Sequence, residues 1–257
     1  MQRTKRTASA VVVTLLSLAS ITACGTGGSG DLASAKQLIQ SCNHKPVNSY
    51  VGVNATGSGK YSGLDGPRLR ALNSELSLVA ACGGRAKVTV FTSSSASTFT
   101  LFEGPIPLIG ATDQAKARRL TKAVAKVSDK ITGSFDDAVA TLDKGGSDIV
   151  AQLRLASEWA TQLGGGQLRV LIETDGLQNR TVKTDQIVAD PAAAAARFDM
   201  PDLPAGTTVT FAGIGEVRGD APPTKVVDAV KTFYTLLCQR TGAERCSIVT
   251  EIAGSTS

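Results

Sequence analysis

Aromatic side chains make up only 4% of the 257 residues, which argues against a surface that stacks nucleic-acid bases. Histidine is scarcer still. His44 is the only one, so clustered imidazole ligands and a freely chosen imidazole base are both excluded. A Ser-His-Asp hydrolase would have to use His44, and a zinc site would have to combine it with Cys42 and Cys82. The chain has no Gly-x-Ser-x-Gly elbow and no phosphate-cradling glycine loop. With no base and nucleophile in reach of each other, it reads as a non-enzyme. Charge of one sign is also lacking. The formal +5 includes Arg3, Lys5 and Arg6, which lie in a removable N-terminal segment. The remainder sets 24 basic against 22 acidic residues, a net +2, too near neutral for a nucleic-acid footprint.

What is present begins with a secretory signal over residues 1–23. Its basic start precedes an apolar run from Ala8 to Ile21, too short and too rich in Ser and Thr to span a bilayer comfortably. The run ends in Ile21-Thr22-Ala23-Cys24, which resembles a bacterial lipobox. That resemblance implies cleavage before Cys24 and acylation of its thiol and new amine. The alternative is an ordinary cleaved signal that happens to contain a cysteine. Several acyl chains on one residue anchor far better than the single chain that binds only marginally. Residues 24–30, glycine-rich, are then a flexible tether, and residues 31–257 are expected to form a single domain on the extracytoplasmic face of the cell membrane.

Hydrophobic residues at 42% and charged residues at 19% suffice for a core of Val, Leu, Ile and Ala. Apolar periodicity and Gly/Pro punctuation predict alternating strands and helices. Helices are expected over 31–41, 64–81, 112–144 (one or two, broken near Gly133), 148–163, 184–206 with proline interruptions, and 222–240. Strands are expected over 50–53, 87–92, 98–102, 168–173, 207–214 and 247–252. The link between the second and third strands is only Ser93 to Ser97, so that pair must be antiparallel. The pattern predicts one doubly wound α/β domain. Its sheet is six-stranded and mainly parallel with one antiparallel edge strand, and helices cover both faces.

The remaining cysteines, Cys42, Cys82, Cys238 and Cys246, suit an oxidising compartment. Four cysteines allow three pairings, and the topology selects one. Each helix runs antiparallel to the strand before it, which places both Cys42–Cys82 and Cys238–Cys246 at the N-terminal edge of the sheet. The closed loops are worth about 4 and about 2.5 kcal/mol by chain entropy.

In such sheets ligands bind at the C-terminal ends of strands where the strand order reverses. The loop after the first strand offers Asn54, Thr56 and Ser58. A distant loop offers Ser147, and Asp175 follows the strand ending at Glu173. Hydroxyls, an amide and one carboxylate suit a hard cation such as Mg²⁺. The same residue types also cap turns and helices, Ser147 and Asp148 at the start of a helix in particular.

These residues resemble the von Willebrand factor A domains. That family carries a metal-ion-dependent adhesion site built from Asp-x-Ser-x-Ser, a distant Thr and a second Asp. The resemblance covers Asn48 to Ile252. Thr174-Asp175-Gly176 after an apolar strand is its best match, and Gly213-Ile214-Gly215 also looks typical. It implies strand order 3-2-1-4-5-6, a binding rather than catalytic role, and Mg²⁺ (or Mn²⁺ or Ca²⁺) bridging to an acidic group on a protein partner. Asn54 stands where the family has Asp, so the site is degenerate by one charge. Loaded with a dication it sums to +1, which favours an anionic ligand while weakening the hold on the ion. A metal-free scaffold is the other expectation. Two further signals have simpler accounts. Arg218-Gly219-Asp220 reads as a loop, and the basic helix face from Lys116 to Lys130 reads as solvated.

Overall fold

A computed structural model describes residues 29–42, 45–59, 63–143 and 145–252. The signal region, Cys24 and His44 lie outside the described residues. The elements run α1 (Ser29–Ser41), β1 (Val47–Asn54), α2 (Gly66–Cys82), β2 (Arg85–Phe91), β3 (Thr98–Pro105), α3 (Asp113–Thr141), α4 (Ala151–Leu163), β4 (Gln167–Glu173), α5 (Thr184–Ala189), α6 (Pro191–Ala196), β5 (Thr208–Ala212), α7 (Thr224–Gln239) and β6 (Arg245–Val249). One six-stranded sheet has the order β3-β2-β1-β4-β5-β6. Only β2 and β3 pair antiparallel; β1–β2, β1–β4, β4–β5 and β5–β6 are parallel. This is the doubly wound α/β arrangement expected from the sequence. No described helix is long and apolar enough to cross a membrane.

Every residue of β1 is buried, as a strand covered on both sides requires. Its side chains alternate between two cores. Val51 and Val53 join Val88, Val90 and Leu171 beneath α1, α2 and α3. Tyr50 joins Val170, Ile172 and Phe211 beneath α4 to α7. The first core is almost wholly aliphatic, whereas the second gathers Tyr50, Phe91, Trp159, Phe211, Phe233 and Tyr234. Phe211 and Tyr234 lie 4.7 Å apart, and Phe233 meets Tyr234 edge-on at 5.0 Å, geometries that add to plain burial.

Cys42 is bonded to Cys82, with Cα atoms 5.0 Å apart, and Cys238 to Cys246, at 6.0 Å. The first bond ties the end of α1 to the end of α2, and the second ties α7 to β6.

Several boundaries differ from the sequence-based expectation. α3 is one unbroken helix through Gly133. Gly133 is exposed, and an exposed helical glycine costs only about 1 kcal/mol. Ile131, Phe135 and Ala138, buried on either side of it, hold the helix to the sheet. α4 begins at Ala151 rather than 148, so Ser147 stays in the loop and caps nothing. The helical pattern after Pro191 stops at Ala196, and residues 197–206 are not helical. β6 sits two to three residues earlier than the apolar run suggests. The amides of Gly213 and Ile214 take the Val249 carbonyl, closing the ladder there, and Ile252 is buried beyond the strand.

Candidate functional site

The sheet order reverses between β1 and β4, and the loops leaving the C-terminal ends of these two strands meet at that point. The meeting is close. Asn54, the last residue of β1, accepts the Thr56 amide on Oδ1 at 3.0 Å. That contact turns its Nδ2 inward, where it donates to Thr174 Oγ1 at 3.0 Å and to Ser147 Oγ at 3.3 Å. Ser147 Oγ donates to Thr56 Oγ1 at 3.1 Å, and the Thr56 and Ser58 hydroxyls lie 3.2 Å apart. Four of the five expected residues are thus joined by direct contacts across 93 positions of sequence.

Asp175 completes the group. Its Oδ1 accepts the Leu177 amide at 3.0 Å, while its buried Oδ2 has no hydrogen-bond partner. Burial pushes its carboxyl above the ordinary range, against hydrogen bonds from the Ser58 hydroxyl and the Leu177 amide and against the Arg68 charge. The loop is held from outside as well. The Gly215 amide donates to the Asp175 carbonyl at 2.9 Å, and the Arg218 amide donates to the Ser58 carbonyl at 2.9 Å. Arg218-Gly219-Asp220 is itself exposed, so its ordered role here is the backbone contact.

Three contributors were not anticipated from the sequence. Thr174 bridges Asn54 Nδ2 and the Gly176 amide, which it accepts at 3.1 Å. Asn179 Oδ1 accepts the Ser147 amide at 2.8 Å and so fixes the distant loop. Arg68 is buried on α2, with its Nη2 donating to the Asn54 carbonyl at 3.1 Å. Its Nε lies 3.9 Å from Glu173, the fully buried last residue of β4. Desolvation pushes the Glu173 carboxyl from 4.5 up to about 8, with Arg68 pulling it down. The Thr174-Asp175 pairing could have flagged Thr174. Nothing marked Arg68, because an arginine beside Leu69 in an amphipathic helix reads as solvent-facing.

The donor set fits a hard cation. Among the described residues no three His, Cys, Asp or Glu side chains gather as metal ligands, so the ligands would be hydroxyl oxygens around one carboxylate. The unpartnered Asp175 Oδ2 is the atom such an ion would satisfy, and magnesium-type sites tolerate few protein charges and retain waters. The same cluster, without an ion, already closes most of its hydrogen bonds through Asn54 Nδ2.

No family model matches this chain, and no curated protein matches it. Solved structures do. An aerotolerance-related membrane protein from Bacteroides fragilis is 16% identical with a TM-score of 0.40, covering 82% of this chain and 93% of its own. A conserved hypothetical protein, BatB, from Bacteroides thetaiotaomicron is 15% identical with a TM-score of 0.39, covering 80% and 91%. The pilus adhesin SpaC from Lactobacillus rhamnosus GG is 12% identical with a TM-score of 0.47, covering 82% of this chain but 29% of the adhesin. These are likenesses of fold too distant to carry an argument. The chain's class rests on its own topology, a doubly wound α/β domain with an antiparallel third strand and a polar rim at the switch point.

Proposed function

We propose that this chain is a binding module of the von Willebrand factor A type, anchored by lipid on Cys24 at the extracytoplasmic face of the cell membrane. Its rim would hold a divalent cation, Mg²⁺ or the similar Mn²⁺ or Ca²⁺. Asp175 and the hydroxyls of Thr56, Ser58 and Ser147 would be the ligands, and Asn54 would orient them. The ion would supply an open coordination position for an acidic side chain of a protein partner. The observation that carries this reading is the buried Asp175 carboxyl, which meets the Ser58 hydroxyl of the convergent set while its Oδ2 receives no well-aligned hydrogen bond. Arg68 beneath the rim adds positive charge, which weakens attraction for the bare ion and strengthens the preference for an anionic ligand.

A metal-free scaffold is the second reading. It is favoured by Asn54 Nδ2, whose bonds to Ser147 and Thr174 tie those parts of the rim together without an ion. Thermal unfolding in Mg²⁺, Mn²⁺, Ca²⁺ and EDTA separates the two, since a ligand of the native state raises the midpoint. The metal reading expects a rise that Asp175→Asn abolishes. A flat response in all four conditions selects the scaffold.

A further inference from the structure

We propose that the outer face of α3, with the loop that precedes it, docks onto an anionic lipid bilayer. Ala117, Leu120, Val124 and Ile131 of α3 point into the core. Between residues 118 and 130 the opposite side exposes Arg118, Arg119, Lys122, Lys126 and Lys130, with Asp129 as the acid among them; the exposed Asp113, Asp136 and Asp137 lie toward the two ends of the helix. None of these five cations forms an ion pair among the described residues. Beside them runs a groove of about 530 Å³ floored by Phe102, Ile106, Leu108, Ala123 and Val127 and edged by Lys122, Lys126 and Lys130. Ile109 stands at its mouth, 75% exposed. Arg119 Nη1 holds the Ile109 carbonyl at 2.5 Å and so keeps the loop against the basic face.

An apolar floor with a cationic edge matches the two layers of an anionic leaflet, acyl chain below and phosphate above. Where the chain enters the domain points the same way. Asp31 and Leu32, near the start of α1, lie against Ala117, Arg118 and Thr121 of α3. From Cys24 to Ser29 the backbone spans at most about 18 Å, so an anchor at Cys24 keeps this face near the bilayer. That second argument rests on the lipid-anchored reading above; the groove and its charges do not.

The test uses the chain from residue 24 onward, made without the signal segment and carrying Cys24→Ser, which removes any acyl group, with Ile109→Trp as a reporter. Vesicles of phosphatidylcholine, with or without phosphatidylglycerol, carry bromine on their acyl chains. The buried Trp159 is common to every variant and supplies a constant background. Quenching of the reporter is expected on phosphatidylglycerol vesicles, with its loss on pure phosphatidylcholine and its loss in Lys122→Gln/Lys126→Gln/Lys130→Gln. Glutamine keeps the helix propensity of lysine. No quenching on the anionic vesicles, or quenching unchanged by the lysine substitutions, overturns the proposal. A reporter that instead responds to protein concentration without vesicles also overturns it, marking the groove as a face for a second copy. None of these outcomes depends on the rim cation.

Discussion

The two ends of the parallel strands are built on different principles. At the N-terminal end, covalent bonds tie α1 to α2 and α7 to β6. Beneath the sheet near that end, Glu75 accepts from Ser49 Oγ at 2.9 Å and from two nitrogens of the Arg169 guanidinium, Nη2 at 2.7 Å and Nε at 3.0 Å. At the C-terminal end there is no covalent tie among the described residues. Short polar side chains hold one another, Asp175 Oδ2 lacks a partner, and Glu173 sits buried with neither oxygen hydrogen-bonded. A buried polar atom without a partner costs stability that the fold must supply elsewhere. The stapled end is therefore the stable body, and the rim is where stability is given up.

Breaking the staples should have the largest effect. Replacing Cys42 and Cys82 by Ala is expected to lower stability by up to about 4 kcal/mol, and the same change at Cys238 and Cys246 by up to about 2.5 kcal/mol. Urea midpoints of the two double variants check both values. The order should follow the closed-loop lengths, with separations of 40 and 8 residues.

The rim can be loosened from beneath. Arg68→Met removes the donor to the Asn54 carbonyl and the cation beside Glu173. A loss of about 2 kcal/mol is expected, the scale of a hydrogen bond from a charged donor, and guanidinium unfolding measures it. A loss near zero would mean that Arg68 only fills space.

A smaller, pH-dependent effect belongs to Glu173. In the unfolded chain this carboxyl ionises near 4.5, but in the fold it holds its proton to about 8. Between those values the folded state binds more protons, so its contribution is complete below pH 4.5, declines as pH rises, and is lost once pH passes about 8. Glu173→Gln cannot ionise. In EDTA, thermal midpoints taken from pH 5 to pH 9 should fall less in Glu173→Gln than in the wild type; parallel curves would show that Glu173 is ionised in the fold.

The sheet was legible because its strands are apolar runs bounded by glycine and polar turns, and because a five-residue link leaves Thr98 no route but antiparallel. The rim was legible in part for a different reason. Asn54, Thr56, Ser58, Ser147 and Asp175 all leave strand ends or loops at one edge, so topology alone brings them near one another. What escaped were charges on buried faces. Arg68 and Glu75 occupy the inward side of α2 beside Leu72 and Leu76, where ionisable residues are rarely found unless paired. Their partners, Glu173 and Arg169, are about a hundred residues away. Ser147 suggested a helix cap because isolated serine before an apolar run usually is one; here its hydroxyl is drawn instead to Thr56 and its amide to Asn179.

The most direct test of the rim is a crystal structure grown in Mn²⁺, with the ion located by its anomalous scattering. The account predicts a single strong peak within coordination distance of Asp175 Oδ2 and of the Ser58 and Ser147 hydroxyls. An empty rim, with Asn54 Nδ2 still bridging Ser147 and Thr174, would contradict it.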